Sequence, residues 1–368
     1  MTIGIPREIK TGETRVATTP AICRRLTALG ARVLVEKHAG VRAGFTDAGY
    51  RAAGATIIAS AERLWRSADV ILKVKEPLPE EFERIQPGRT IFTYLHLAAA
   101  PELARELVRK NVLGIAYETV ESPDGTLPLL KPMSQIAGRL ATQVGAHYLE
   151  SQVGGTGVLL GGVPGVAPAH VVVLGAGNAG AHAARIAAGM GARVTVLDLD
   201  SHKLDVLDSE YHGRVVTLQA SPANIGHAVA EADLVIGAVL VPGARAPVVV
   251  TERMVRSMRP GSVIVDIAID QGGCVETIRA TSHQEPTFVK HGVIHYAVPN
   301  MPAMVGRTAT LALTQATEPF VATLAERGLE RALTENRGLA RGINTRAGRI
   351  VNPTIARLLG DHGELATN

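Results

Sequence analysis

Cysteine, aromatic residues and concentrated charge are all scarce in this chain of 368 residues. The two cysteines, Cys23 and Cys274, are far apart in sequence and lack the spacing of a metal site. So few cysteines predict a protein that has no disulfide framework and comes from a reducing compartment. Aromatic residues make up only 3%, whereas 38 glycines suit helices packed closely on sheets. The net charge of +4 comes from dispersed basic residues, so we expect no nucleic-acid partner.

Signals for export and for membrane insertion are also lacking. The first ten residues have no signal-peptide pattern, so we expect a cytoplasmic protein with no membrane partner. Residues 151–184 contain no Asp, Glu, Lys or Arg and are long enough to span a bilayer, but they include nine glycines and two prolines. We therefore predict a buried, glycine-rich region of strand and loop.

The most informative segment is residues 171–200, where an apolar run leads into GAGNAG, an Ala-rich helical stretch and a second apolar run ending at Asp198. This order predicts the βαβ unit of a dinucleotide-binding domain, although a simple packing turn has similar glycines. Gly175 allows the tight turn, Gly177 lets the backbone approach a pyrophosphate, and Gly180 lets the helix lie close to the strands. Asp198 is placed to hydrogen-bond the adenosine ribose and to repel a 2′-phosphate, which favours NAD over NADP as the cofactor.

The chain as a whole predicts an α/β protein with two doubly wound, Rossmann-like domains, a cleft between them and long helices joining them. We expect a discontinuous substrate and catalytic domain formed by residues 1–130 and 305–368, and an NAD-binding domain at 131–304. In the first part, the predicted strands are residues 3–5, 32–36, 70–74, 90–95 and 112–116, and the predicted helices are residues 20–29, 61–65 and 101–111.

The NAD-binding domain is expected to begin with a long connecting helix at residues 133–150, with Ser134 as its N-cap, as a phosphate ligand or as both. Beyond the glycine motif, we predict a helix at residues 308–325, and the pattern stays helical towards the C-terminus. We expect this tail to return to the first domain and complete it. Further strands are predicted at residues 215–218, 234–238, 262–267 and 293–298.

Four ionisable residues follow predicted strands, and ligands bind beyond the carboxyl ends of the strands in open α/β sheets. Arg15, Lys75 and His96 belong to the first domain, and Asp270 belongs to the second. Taken singly, each has an ordinary structural explanation: a solvated loop charge, a strand-edge charge, a hydrogen-bonded imidazole and a turn former. Together, beside a dinucleotide site, they predict a catalytic cluster in the cleft. No His, Cys or Asp cluster has metal-ligand spacing, so we expect no metal.

Long sequence blocks follow one another along the chain: GIPREIK, ETRVA at 13–17, KVKEP at 73–77, LHLAA at 95–99, PMS at 132–134, AGR at 137–139, GGVPGV at 161–166, GAGNAG, IGAVLVPG at 236–243, VDIAIDQGGC at 265–274 and NMP at 300–302. Through these blocks, in family order, the chain resembles the alanine dehydrogenase family over essentially its whole length. It departs from the usual family pattern at Lys131, at Asn178, where a smaller Thr or Val is usual, and in the run AMVGRT at 303–308.

The resemblance implies reversible oxidative deamination of L-alanine to pyruvate and ammonium with NAD, in a cytoplasmic homohexamer. Arg15 would grip the substrate carboxylate, and Lys75 would polarise the imine or carbonyl. His96, whose pKa is expected near neutrality, and Asp270 would share the proton transfers. The residues expected at the cofactor are Ser134, Gly175, Gly177, Asn178, Gly180, Asp198, Lys203, Val239, Leu240, Ile267, Ala268, Ile269, Asp270, Arg279, Val298, Pro299, Asn300 and Met301.

Two other functions fit a two-domain nucleotide-binding protein. A soluble nucleotide-binding component of a transhydrogenase would need no arginine for a substrate carboxylate and would normally adjoin membrane segments. A non-catalytic nucleotide sensor would have little use for Arg15, Lys75, His96 and Asp270 together.

Overall fold

The computed structural model describes residues 1–239 and 245–360, and the chain divides into two compact units. The first unit comprises Met1–Met133 and the chain from Ala303 onwards, and the second comprises Ser134–Pro302. The predicted boundaries, after residues 130 and 304, lie three residues before and two residues after these positions. The substrate and cofactor roles of the two halves remain predictions.

Strands and helices alternate through most of the chain. The strands are β1 (Thr2–Ile5), β2 (Arg32–Glu36), β3 (Thr56–Ile58), β4 (Val70–Leu72), β5 (Thr90–Thr93), β6 (Leu113–Ala116), β7 (His170–Leu174), β8 (Arg193–Asp198), β9 (Val215–Gln219), β10 (Leu234–Gly237), β11 (Val263–Asp266), β12 (Thr287–Lys290), β13 (Val293–Tyr296), β14 (Ile343–Arg346) and β15 (Arg349–Ile350). The helices are α1 (Pro20–Ala28), α2 (Asp47–Ala52), α3 (Ala61–Ser67), α4 (Pro79–Phe82), α5 (Pro101–Arg109), α6 (Lys131–Tyr148), α7 (Asn178–Gly189), α8 (Ser201–Tyr211), α9 (Pro222–Glu231), α10 (Glu252–Ser257), α11 (Gly306–Arg327), α12 (Leu329–Glu335), α13 (Arg337–Arg341) and α14 (Pro353–Leu358).

The first unit contains an eight-stranded sheet in the order β15-β14-β6-β5-β4-β1-β2-β3. The strands from β6 to β3 are parallel, whereas β14 pairs antiparallel with β6 and β15 pairs antiparallel with β14. Every residue of β4, β5 and β6 is buried, and most of these residues are apolar, as expected for parallel strands with both faces covered. Because the parallel strands share one direction, the loops that follow them emerge at one edge of the sheet.

The second unit contains a seven-stranded sheet in the order β12-β13-β11-β10-β7-β8-β9, parallel except for β12. From β7 the chain first moves outwards to β8 and β9, and then returns to the other side of β7 with β10. This reversal between β7 and β10 is the topological switch point at which doubly wound sheets bind ligands. The two sheets confirm the predicted class of an α/β protein with two Rossmann-like domains.

Helix α6 packs closely against α7 in the second unit. A Cβ atom added at Gly138 would lie 1.9 Å from the carbonyl oxygen of Ala179, so only glycine permits this approach. One turn further, the hydroxyl of Thr142 donates to the carbonyl oxygen of Ala183 at 2.9 Å. These contacts fix α6 beside the first turns of α7, directly after the glycine motif.

Helix α6 begins earlier than predicted. It starts at Lys131, with Pro132 in the first turn, where a residue without an N–H group is favoured because that group has no partner inside the helix. Ser134 is therefore the fourth helical residue, and the prediction that it is the N-cap is wrong.

Two further expectations are corrected by the structure. The chain beyond α13 is not helical throughout, because β14 and β15 form a small antiparallel hairpin whose turn at Ala347 and Gly348 has positive φ angles. The segment before β7 is not buried, since Leu159, Val163 and Val166 are all more than half exposed. Among the described residues, no helix is both long enough and apolar enough to cross a membrane.

Candidate active site

The carboxyl edge of the first sheet carries the predicted ionisable residues of that unit. Arg15 lies in the loop after β1, Lys75 three residues after the end of β4, and His96 three residues after the end of β5. The strands predicted at residues 70–74 and 90–95 end earlier than expected, so Lys75 and His96 belong to the loops rather than to the strands. Their side chains come together, with the Lys75 Nζ 3.2 Å from the His96 Nε2.

Arg15 is buried and oriented by Glu13. The carboxylate of Glu13 accepts from the Arg15 Nε at 2.7 Å and from the Nη2 at 2.6 Å, and Nη1 lies 3.1 Å from the sulfur of Met133. Burial disfavours the charge of the guanidinium, yet the hydrogen bonds and charge of Glu13 raise the pKa of Arg15 above its usual value. A cavity of about 410 Å³ opens beside Glu13 and Arg15, and Arg7 and Arg42 also line it. Arg15 is thus a fixed cation at the wall of a cavity, as anion binding requires.

The contact between Lys75 and His96 determines the protonation state of the imidazole. An ammonium group has only donors, so the Nε2 of His96 must accept, and the ring proton is then on Nδ1. Burial and the charge of Lys75 lower the pKa of His96 to about 3. The expectation that His96 titrates near neutrality is therefore wrong for this arrangement, because protonation would place two cations side by side.

The ring of His96 also rests on an aromatic cluster. Tyr94 stacks on it with centroids 5.8 Å apart and an interplanar angle of 11°, and Tyr117 meets Tyr94 edge to face at 5.0 Å. The hydroxyl of Tyr94 donates to the carbonyl oxygen of Leu129 at 2.5 Å. These contacts leave the imidazole little freedom to rotate.

A second buried cation supports the loops that carry these residues. Lys73 is completely buried, and its Nζ lies 2.9 Å from the carboxylate of Glu81 and 3.2 Å from that of Glu8. The other oxygen of Glu8 accepts from the backbone N–H of Val74 at 2.7 Å. A charge without solvent requires such partners, and this network ties the loop after β1 to the loop after β4.

Sequence reasoning missed the ionisable residues that surround the cluster. Glu8, Glu13 and Lys73 lie inside blocks quoted for the family resemblance, yet no role was predicted for them. Glu118, whose carboxylate accepts from the backbone N–H groups of Leu95 and His96, follows the predicted strand at 112–116. The rule that gave the other candidates, an ionisable residue at the end of a parallel strand, would also have found Glu118.

The glycine motif of the second unit has the geometry of a dinucleotide-binding turn. Gly175 has a φ of +101°. A Cβ atom added at Gly180 would lie 1.7 Å from the carbonyl oxygen of Gly175. Gly177 is the N-cap residue of α7, and a Cβ atom there would meet nothing within 4 Å among the described residues. Asn178 is exposed at the first position of α7. The open space beside Gly177 and the helix N-terminus suit a phosphate group.

Asp198 ends β8 and is bound to the glycine turn. Its Oδ2 accepts from the N–H of Ala176 at 2.6 Å, its Oδ1 accepts from the N–H of Asp200 at 2.8 Å, and the Nζ of Lys203 lies 4.0 Å away. The carboxylate therefore stabilises the turn itself, a role that sequence reasoning did not predict. Its predicted contact with an adenosine ribose remains a prediction.

Asp270 is not at the end of a strand. β11 ends at Asp266, and Asp270 is exposed in a 3₁₀ turn at Ile267–Gln271, where its Oδ1 accepts from the N–H of Asn300 at 3.2 Å. The carboxylate of Asp266 accepts from the N–H groups of Ala268 at 2.9 Å and Cys274 at 2.8 Å, so it closes both ends of the loop. Burial raises the pKa of Asp266 to about 6.

The remaining cofactor candidates are scattered over the carboxyl edge of the second sheet and beyond it. Val239 follows β10, next to the close approach between Ala238 and Gly175, whereas the guanidinium of Arg279 lies 4.4 Å from the ring centroid of Phe288. Leu240 lies outside the described residues. The other candidates lie in α6, in the 3₁₀ turn after β11 or beyond the end of β13, and their contact with a cofactor remains a prediction: Ser134, Ile267, Ala268, Ile269, Val298, Pro299 and Met301. In the described ranges, no group of three or more His, Cys, Asp or Glu residues is arranged to hold a metal ion.

Comparison with known proteins places this geometry in a family. The model "Alanine dehydrogenase/PNT, N-terminal domain" matches residues 4–137, and "Alanine dehydrogenase/PNT, C-terminal domain" matches residues 141–353. The alanine dehydrogenase of Methanococcus maripaludis is 52% identical over 97% of this chain and 96% of its own. That of Bacillus subtilis is 53% identical over 98% of this chain and 95% of its own.

Solved structures agree with these matches. A structure named L-alanine dehydrogenase is similar with a TM-score of 0.95 and 52% identity, covering 98% of this chain and 99% of its own. A transhydrogenase from Sinorhizobium meliloti has the same fold, with a TM-score of 0.84 and 24% identity over 95% of this chain and 100% of its own.

Proposed function

The chain belongs to the alanine dehydrogenase/PNT family, and we propose that it is an NAD-dependent L-alanine dehydrogenase. The reaction is the reversible oxidative deamination of L-alanine to pyruvate and ammonium. We further propose that the enzyme works in the cytoplasm as a homohexamer. The observation that carries the proposal is the pair formed by Lys75 and His96, a fixed cation beside a neutral imidazole, on the same sheet edge as Arg15.

His96 is suited to accept a proton. With its pKa lowered, the imidazole is neutral at physiological pH, so it takes a proton from the substrate ammonium group and returns it during release of ammonia. A substrate carboxylate near Lys75 would offset part of the lysine charge and raise the pKa of His96 towards the range of a good general base. Loss of the hydride from Cα leaves an imine; water then adds to the imine carbon, and the C–N bond breaks as the new hydroxyl group loses its proton. Lys75 stabilises the negative charge that develops on this oxygen as pyruvate forms.

Arg15 is suited to hold the substrate carboxylate. Its guanidinium is oriented by the two hydrogen bonds that it donates to Glu13 before any substrate arrives, and preorganisation of this kind reduces the entropy lost on binding. A planar guanidinium also recognises carboxylates in a way that a lysine ammonium does not.

The second unit fits NAD as the hydride acceptor. The open space beside Gly177, the N-terminus of α7 and the acidic end of β8 at Asp198 match the pyrophosphate and ribose of a dinucleotide. When bound, NAD would supply the acceptor for the hydride that leaves the alanine Cα. Asn178, Lys203 and the residues already named as cofactor candidates are proposed to complete this site, and Asp270 is proposed to join His96 in the proton transfers.

A direct assay tests the proposal. Absorbance at the NADH band should rise when the protein receives L-alanine and NAD, and NADP should be a much poorer cofactor.

Arg15→Ala should raise the KM for alanine and pyruvate greatly while NADH affinity stays nearly unchanged, and Arg15→Lys should recover little. Arg341→Ala is a matched control, because Arg341 pairs with Glu121 at the surface. Hydride transfer without L-alanine, between two nucleotides, would point to a transhydrogenase component instead.

The roles of His96 and Asp270 are tested separately. His96→Ala and Asp270→Ala should each lower kcat on the order of 100-fold or more, and the double variant should be much less than multiplicatively worse. Asp270→Asn keeps the shape and the acceptor for the N–H of Asn300 while removing the charge. A variant that binds NADH, melts like the parent and still turns over alanine normally would reduce Asp270 to a turn residue.

A further inference from the structure

Glu118 lies in the turn after β6 and holds the end of β5. Its Oε1 accepts from the backbone N–H of His96 at 2.6 Å, and its Oε2 accepts from that of Leu95 at 3.2 Å. Both oxygens of one carboxylate thus bind the two residues at which the chain leaves the sheet. Burial raises the pKa of Glu118, and the N–H groups of His96 and Leu95 oppose that rise.

His96 needs such support because its backbone is strained. It has φ 48° and ψ 38°, the left-handed conformation that residues with a Cβ rarely adopt, and a 3₁₀ turn at Leu97–Ala99 follows it directly. A conformation of this kind persists only where the surroundings hold it. The two hydrogen bonds that Glu118 accepts act on the strained segment itself, since their donors are the backbone N–H groups of Leu95 and His96.

The turn that carries Glu118 is itself anchored on its far side. The N–H of Ala116 donates to the carbonyl oxygen of Gly342 at 2.7 Å, and the hydroxyl of Thr119 donates to the Oδ1 of Asn344 at 2.9 Å. Gly342, just before β14, and Asn344, within it, therefore fix both ends of the turn, and the carboxylate of Glu118 has a defined position from which to hold His96.

We propose that Glu118 is a positioning residue, which sets the backbone of His96 so that the Nε2 faces the ammonium of Lys75. The inference rests on the proposed function for its effect on turnover, because Glu118 then acts on the reaction only through His96. Its effect on the geometry of His96 does not depend on any substrate.

The kinetic test uses Glu118→Ala and Glu118→Gln in the full-length protein. A loss of both acceptors should lower kcat about 10- to 100-fold, the range expected when a catalytic group shifts by about 1 Å, while the KM for alanine and the NADH affinity change less than about threefold. Glu118→Gln keeps one acceptor oxygen and should lie between the parent and Glu118→Ala. Asp233→Asn is the matched control, since this buried carboxylate accepts the N–H of His170 at 2.8 Å but lies outside the proposed site, and it should keep its kcat.

A double variant separates positioning from general stabilisation. In the His96→Ala background, Glu118→Ala should lower kcat by less than about twofold, because the residue it positions is already gone. A further tenfold loss in that background would overturn the proposal. So would a Glu118→Ala variant that keeps normal kcat and folds like the parent.

A spectroscopic readout distinguishes failure of this inference from failure of the proposed function. In protein labelled with ¹⁵N-histidine, His96 of the parent should show the Nδ1-protonated tautomer, and Glu118→Gln should show a mixture of tautomers or an altered Nε2 shift. If the parent forms no NADH from L-alanine but the tautomer changes as expected, the proposed function fails and the positioning role stands. An unchanged His96 spectrum in Glu118→Gln would refute the role directly.

Discussion

Replacement of Lys75 by methionine isolates the effect of one charge on His96. Methionine keeps an unbranched side chain about as long as the aliphatic part of lysine but lacks the ammonium that lies 3.2 Å from the Nε2. In the parent, burial and this charge lower the pKa of His96 to about 3. In Lys75→Met the burial remains and the repulsion is lost, so the pKa of His96 should rise.

The size of the rise follows from the distance. Two unit charges at this separation repel by about 1.3 kcal/mol at the dielectric constant of water and by about 5 kcal/mol at an effective value near 20. One pKa unit corresponds to about 1.4 kcal/mol, so even the weaker estimate predicts an increase of about one unit. We therefore expect His96 to be half protonated at pH 4 or above in the variant.

Long-range ¹H–¹⁵N spectra of histidine-labelled protein measure this protonation, and His96→Gln assigns the resonance. The parent should keep a neutral His96 across pH 4 to 8, whereas Lys75→Met should titrate within that range. Because the pKa of His96 is lower in the folded state than in the unfolded state, its contribution to stability is fully present above about pH 6.5. This contribution is lost as the pH falls towards 3. The acid sensitivity of folding should therefore weaken in the variant. An imidazole that stays neutral at pH 4 in Lys75→Met would refute the repulsion argument.

Three further outcomes are expected. Asp198→Ala should narrow the preference for NAD over NADP mainly through weaker NAD binding, and it should also loosen the turn at Ala176; equal kcat/KM with both cofactors in the parent would contradict the ribose assignment. Gly180→Ala should lower the melting temperature and the NADH affinity, measured by thermal shift, because its Cβ would lie 1.7 Å from the carbonyl oxygen of Gly175. The pKa of Asp266 is raised to about 6 from an unfolded value near 3.9, so Asp266 keeps its proton up to a higher pH in the folded state than in the unfolded state. Stability should thus fall by about 2 kcal/mol as the pH rises from 4 to 7, and urea unfolding of Asp266→Asn should lack this fall.

Much of the site could be predicted because parallel strands expose their carboxyl ends together. Arg15, Lys75 and His96 each follow a buried apolar strand, and that pattern alone nominated them. The same rule was less successful for Asp270, because β11 ends at Asp266 and the apolar residues that follow it form a 3₁₀ turn instead of strand. Local sequence cannot show that a backbone turns after four residues when the apolar run continues.

The supporting contacts could not be predicted from local sequence. Glu118 and His96 are 22 positions apart, and nothing in the pattern shows that one carboxylate reaches two backbone N–H groups of the neighbouring strand. The strand β14 is short and partly polar, so it has no apolar pattern of its own; the hydroxyl of Thr345 replaces part of its pairing by binding the N–H of Gly114 and the carbonyl oxygen of Val112. Such elements take their structure from their neighbours rather than from their own residues.

The antiparallel pairing of β14 with β6 has a consequence for biosynthesis. β6 ends at Ala116, but its partner begins at Ile343, more than two hundred residues later. At about 5 to 20 residues per second, the ribosome needs roughly 10 to 45 s to make the intervening chain. During this interval Ser134–Pro302, which is continuous in sequence, can fold completely, while the edge of β6 stays unpaired. The turn that carries Glu118 therefore becomes anchored only after Gly342 and Asn344 have been made, so the backbone geometry of His96 is completed after the second unit can already have folded.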